Sequence, residues 1–103
     1  YCVGNYNDDK KNGVWRYYLF DSGQLDYSLE YKNDTINGKV LVYDLEGNLM
    51  ADISYENGQT QGVSLFYYKN GNFRCKTEYN FGKTVKSEYY KKNGTPLKNH
   101  WFM

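Results

Sequence analysis

The sequence predicts an all-β fold: an elongated array of stacked antiparallel β-hairpins, about 24 residues per unit, forming an open single-layer twisted sheet. Three observations carry that prediction. First, residues recur at a fixed interval. Leu25, Leu49, Phe73 and Leu97 stand 24 apart, as do Tyr31, Tyr55 and Tyr79, then Gly23, Gly47 and Gly71, and also Gly38 and Gly62. Self-similarity at such a period marks an array in which each unit touches only its neighbours. Second, each interval holds two short apolar runs flanking a turn, of which Lys69-Asn70-Gly71 and Lys92-Asn93-Gly94 are the clearest. Asn-Gly between β-rich runs predicts a two-residue type I′ hairpin turn, since both residues tolerate positive φ. Third, 13 Tyr, 5 Phe and 2 Trp in 103 residues, with one Ala and one Pro, favour strands and leave almost no helix.

Taken in order, Tyr1 to Asn12 reads as the second half of an incomplete unit, because Tyr6 stands seven before Gly13 as Tyr31 stands seven before Gly38. The register therefore starts before the chain does, and the sequence reads as a piece of a longer protein. Units follow at 13–37, 38–61 and 62–84, and a degenerate unit at 85–103 carries Val85 in the glycine slot. In each second strand Leu25, Tyr27, Leu29, Tyr31, then Leu49, Ala51, Ile53, Tyr55, then Phe73, Cys75, Thr77, Tyr79 alternate with Asp26, Ser28, Glu30, with Met50, Asp52, Ser54 and with Arg74, Lys76, Glu78. A period of two places the first set on a buried face and the second in water. The first strands carry aromatic pairs, so a Tyr recurs on the polar face at Tyr18, Tyr43, Tyr67 and Tyr90. These rings either cover their own sheet or form a track for a partner. The seven-residue step from Tyr to Gly predicts that Tyr31 folds beside Gly38, and Tyr55 beside Gly62, filling the space a strand glycine leaves.

The pattern Gly-x-x-x-Phe-Tyr-Tyr-Lys-Asn-Gly-Asn-Phe-x-x-x-Thr-Glu-Tyr of the third unit, repeated in phase from Tyr6 to about Leu97, resembles the MORN repeat and most of all its bacterial variant, the YwqK-like proteins. The resemblance implies stacked hairpins serving as a scaffold or interaction surface. Departures are Val85, and Ser64 and Ser87 where Trp15 holds the aromatic slot. Tyr43-Asp44-Leu45-Glu46-Gly47 also fits the tyrosine-aspartate repeats of secreted toxin shells, in that unit alone.

Catalysis is not expected. His100 is the single histidine, without partners at metal-ligand or nucleophile spacing, and the carboxylates fall on alternating wet positions. No glycine-rich segment reads as a phosphate cradle, and no cofactor or metal is implied. Net charge is +1, yet residues 1–68 hold five Lys/Arg against ten Asp/Glu, and residues 69–103 hold eight against two. The asymmetry is either drift among solvated side chains or an anion-seeking end.

The leading functional expectation is a non-catalytic scaffold for another protein. The alternative is peripheral binding of anionic lipid or headgroups through the basic, aromatic end, where Lys86, Lys91, Lys92, Lys98 and Trp101 lie near Tyr90. Open terminal strands add an expectation of self-association through sheet edges. No nucleic-acid partner is expected. Within the 103 residues there is neither a signal-peptide pattern nor an apolar run long enough to span a bilayer. Cys2 and Cys75 occupy equivalent slots three repeats apart, which predicts two buried, free thiols roughly 29 Å apart at about 4.8 Å per strand.

Overall fold

A computed structural model describes residues 2–19 and 21–97, together with the backbone of 100–101. It contains β1 (Cys2–Asn7), β2 (Lys10–Tyr18), β3 (Leu25–Lys32), β4 (Thr35–Tyr43), β5 (Leu49–Glu56), β6 (Gln59–Thr60), β7 (Gly62–Tyr67), β8 (Phe73–Asn80), β9 (Lys83–Tyr89) and β10 (His100–Trp101), with no helix among the described residues. All strands join one open antiparallel sheet in hairpin order; β6 and β7 are one strand interrupted at Gln61, and both pair with β5. The sheet measures 47 × 33 × 13 Å between Cα extremes, so it is a single layer.

Two kinds of turn alternate along it. In the hairpins of the second, third and fourth units the connection is a three-residue loop in which only the glycine is left-handed, whereas that of the first unit, closed between Leu19 and Gln24, is one residue longer. Gly71 N–H donates to Tyr68 O at 2.9 Å and Tyr68 N–H to Asn72 O at 2.8 Å, and Gly47 and Gly94 close their loops the same way. Asn70 keeps negative φ, so this is a type I turn followed by a glycine bulge, not the type I′ turn expected from Asn-Gly. The two-residue turns with positive φ at both positions join one hairpin to the next: Asp8-Asp9, Asn33-Asp34, Asn57-Gly58 and Phe81-Gly82.

These boundary turns are held by a device that repeats with the period. The first turn N–H is taken by a side-chain amide one unit back: Asn33 by Asn12 Oδ1 at 3.1 Å, Asn57 by Asn37 Oδ1 at 3.0 Å, Phe81 by Gln61 Oε1 at 2.6 Å. The second is taken by a backbone carbonyl, of Lys11, Ile36 and Thr60 in turn. Each amide residue directly precedes the unit glycine. At Gly62 the reason for glycine is its φ of +82°, since a Cβ there would meet nothing within 4 Å. The ring paired with Gly62 is Tyr79 of the following strand, and Gly38 pairs with Tyr55, so the expected Tyr31–Gly38 and Tyr55–Gly62 fillings do not form. Aromatic filling does occur at Gly4, where an added Cβ would overlap the Trp15 indole.

A second recurring irregularity decides the faces. Tyr17 pairs with Tyr27 but Tyr18 with Leu25; Val42 pairs with Ala51 but Tyr43 with Leu49; Phe66 pairs with Cys75 but Tyr67 with Phe73. One extra residue, Asp26, Met50 or Arg74, bulges at each step. Directly opposed residues share a face, so the bulge moves Leu25, Leu49 and Phe73 off the expected buried face and onto that of the recurring tyrosines. The Tyr67 and Phe73 rings stack at 5.3 Å, while Arg74 swings to the other side, its guanidinium 5.9 Å over Phe66.

Burial concentrates on the opposite, Trp15-bearing face, at Trp15, Val40, Ala51, Ser64, Cys75, Thr77 and Ser87; on the Tyr43 face Ser28 is buried too, contrary to its expected wet position, because β2 and β4 flank it on both sides. The turn-side row of the Trp15 face runs without a break from Cys2 through Tyr17, Tyr27, Val42, Ala51, Phe66 and Cys75 to Tyr89. Cys2 and Cys75 thus share a row six strands apart, as free thiols. Cys75 is buried but Cys2 is exposed, contrary to the expectation for both, because β1 has no neighbour on its outer side among the described residues.

Candidate functional site

The sequence-predicted surface lies on the Tyr43 face. Tyr18, Tyr43, Tyr67 and Tyr90 are half-buried there and, with Leu25, Leu49 and Phe73, make a stripe along the turn side of the sheet. Tyr90 joins it through Phe73, its ring centroid 6.1 Å away, and its hydroxyl donates to Glu88 Oε2 at 3.0 Å. Lys76 lies across both rings, 4.2 Å from the Phe73 centroid and 5.6 Å from that of Tyr90. The rings therefore cover their own sheet and still present an edge to solvent.

Around the stripe, charge is compensated pair by pair. Lys39 Nζ sits 3.3 Å from Asp52 Oδ1, Lys86 Nζ 4.0 Å from Glu78 Oε1, and Lys69 joins Glu46 across neighbouring turns. The Glu46 hydrogen bond raises the Lys69 pKa, and the Asn48 backbone N–H holds the exposed Asp44 carboxyl below its usual value. Of the lysines of the lipid reading, Lys86 lies on β9, and Lys91 and Lys92 lie in the turn that follows it. Tyr89, opposite Cys75, and Tyr90, beside Phe73, point to opposite faces. Lys98 lies outside the described residues, and Trp101 is placed only as a strand position paired with Lys86.

The feature that sequence reasoning missed is on the Trp15 face. Its central row reads Trp15, Leu29, Val40 and then Ile53; continued one step along the β5–β7 register, it becomes Ser64, Thr77 and Ser87. The three hydroxyl residues are all buried, Ser64 completely. Ser64 Oγ accepts the Ser54 N–H at 3.2 Å, and Thr77 Oγ1 lies 3.0 Å from Ser87 Oγ and 3.3 Å from Cys75 Sγ. Taller side chains stand on either side: Tyr79 with Thr84 toward the boundary turns, Phe66 and Tyr89 toward the unit turns. Between them lies a shallow cleft made of two adjoining depressions, about 310 and 250 Å³, that share Thr77, Tyr79 and Tyr89; Ser87 lines the first, and the buried Ser64 lines neither. The sequence signal was Ser64 and Ser87 in the slot of Trp15, visible as a departure but silent about burial.

Phenol ionisation adds no acid–base chemistry near neutrality. Burial raises the Tyr79 pKa, burial and then the Glu88 hydrogen bond raise that of Tyr90, and burial with a Tyr31 hydrogen bond pushes Tyr17 up to about 12. Among the described residues no three His, Cys, Asp or Glu gather as metal ligands. No described helix is long and apolar enough to cross a membrane.

The molecule is thus, by class, an open single-layer array of β-hairpins. Neither a known family nor a curated protein matches the chain. Among solved structures, the crystal structure of TarM is similar, with a TM-score of 0.61 and 11% identity over 97% of this chain. The chain spans 19% of that TarM chain, and the likeness is one of fold.

Proposed function

We propose that the chain is a non-catalytic repeat scaffold presenting its Tyr43 face to another protein, as the MORN resemblance implies. The observation that supports this is the half-buried stripe of Tyr18, Tyr43, Tyr67 and Tyr90 on an unroofed sheet. Semi-rigid aromatic rings at an accessible surface lose little conformational freedom on binding and supply much of an interface's affinity. Photocrosslinking side chains at Tyr43 and at Tyr67, with a control at Tyr55 on the other face, test the reading in cells of the source organism. A common protein adduct from Tyr43 and Tyr67 but not Tyr55 is expected; adducts equal at all three positions, or none, refute it.

The β1 edge favours a second mode, pairing with another copy of the chain, because Val3 and Tyr6 on this outer strand are 52% and 63% exposed. Light scattering at low salt should then show mass rising with concentration, and less so in Val3→Lys. A monomer at every concentration removes this mode.

A further inference from the structure

The cleft over Thr77 and Ser87 lies on the face opposite the proposed protein surface, and its lining restricts what can occupy it. We propose that it binds a neutral carbohydrate, one pyranose ring resting on the hydroxyl floor between the aromatic walls.

The floor offers hydrogen bonding without charge. Each hydroxyl carries one donor and two acceptor sites, and the contacts of Thr77 with Ser87 and with Cys75 leave some of those of Thr77 and Ser87 unused. The walls offer flat apolar faces. Tyr79 stands four residues from Cys75 on β8, and Cys75 pairs with Tyr89, so the wall rows are roughly 13 Å apart at about 3.3 Å per residue, with Thr77 midway. That span admits one saturated ring carrying its own hydroxyls. Apolar walls with a few convergent polar groups are the usual build of a small-ligand site.

Other ligand classes fit poorly. An anion would need a cation or an array of free N–H groups, and the one charged residue lining the cleft, Arg74, lies over Phe66. A metal lacks ligands among the described residues. A purely apolar ligand would cover the hydroxyl floor without replacing its water. A polyol with apolar ring faces matches both surfaces at once.

The test is a titration of the isotope-labelled full chain, followed by backbone amide shifts. Methyl glucoside serves as the monosaccharide, maltotriose, cellotriose and chitotriose as oligosaccharides, and a neutral tripeptide as a control. Saturable millimolar shifts confined to the neighbours of Thr77, Tyr79 and Tyr89 are expected with at least one sugar and not with the peptide. A trisaccharide that binds where the monosaccharide does not identifies a polymer as the source; equal binding identifies a free sugar. Thr77→Val, isosteric but without the hydroxyl, should weaken binding about fivefold, while Thr77→Ser retains it. No sugar shifting the cleft, stronger shifts with the peptide, or equal affinity in Thr77→Val and parent would each overturn the proposal. Because Tyr43 and its stripe are on the other face, this result is independent of the crosslinking outcome.

Discussion

The Trp15 face is built from one register but two chemistries. Over β2 to β5 its central row is Trp15, Leu29, Val40 and Ile53; over β7 to β9 it is Ser64, Thr77 and Ser87. Fully burying an aliphatic side chain contributes about 1.5–3 kcal/mol, whereas a hydroxyl–hydroxyl bond nets about 0.5–1.5 kcal/mol. The central row therefore contributes more in the N-terminal half, where Trp15 and Val40 are buried, than in the C-terminal half, where it consists of hydroxyl residues between Phe66, Tyr79 and Tyr89. A repeat array tolerates this because each strand is supported by its neighbours, not by one central core.

The comparison breaks most sharply at Trp15. This indole packs edge-on to Tyr6 at 5.0 Å and Tyr31 at 6.2 Å, carries the Lys11 ammonium 5.1 Å over its ring, and donates from Nε1 to Asn5 O at 3.0 Å. Trp15→Ala should cost about 3–5 kcal/mol in urea unfolding. Ser87→Ala, the corresponding position of the other half, should cost about 1–3 kcal/mol, by leaving Thr77 short of a partner. Equal losses at the two sites would remove the distinction between the halves.

Gly62→Val comes next, at about 1–2 kcal/mol from its left-handed backbone. Gly62→Asn should recover part of that loss, since Asn tolerates positive φ while adding bulk. A loss that instead tracked side-chain volume in thermal melts would restore the aromatic-filling account. Asn37→Ala, which removes the oxygen accepting the Asn57 N–H, should cost about 1 kcal/mol and raise amide exchange at Asn57 specifically. Unchanged exchange there would show that the boundary amides do not hold the turns.

The smallest effect is in pH. A phenol whose folded pKa lies above its unfolded value binds its proton more tightly in the native state. The Tyr17 contribution is thus fully present below about pH 10 and disappears as pH rises toward about 12. Tyr17→Phe should flatten the fall in stability across that window, measured by urea midpoints. The same slope in both proteins would assign the alkaline loss to other groups.

How much could be read beforehand differs between element and face. The hairpins, their order and the single open layer followed from the interval linking Tyr31, Tyr55 and Tyr79 and from the glycines at turn positions. Which residues look the same way did not follow. A one-residue slip reverses every side chain beyond it, and the bulges at Asp26, Met50 and Arg74 introduce such a slip in each unit. Phe73 and Cys75 thereby part company although they sit two apart in a regular alternation.

The sequence by itself determined the period, the strands and the chain's antiparallel path, because these depend on local preferences and on a pattern repeated often enough to be unambiguous. Tertiary structure alone decided that Asn12, Asn37 and Gln61 reach turns about twenty residues ahead, that Leu25 and Phe73 join the tyrosine stripe, and that Ser64, Thr77 and Ser87 are buried as one row. The physical reason is shared by all three. Each depends on where neighbouring strands stop being in step, and that offset is set by bulges and positive-φ turns whose cost is met by contacts between units rather than within them.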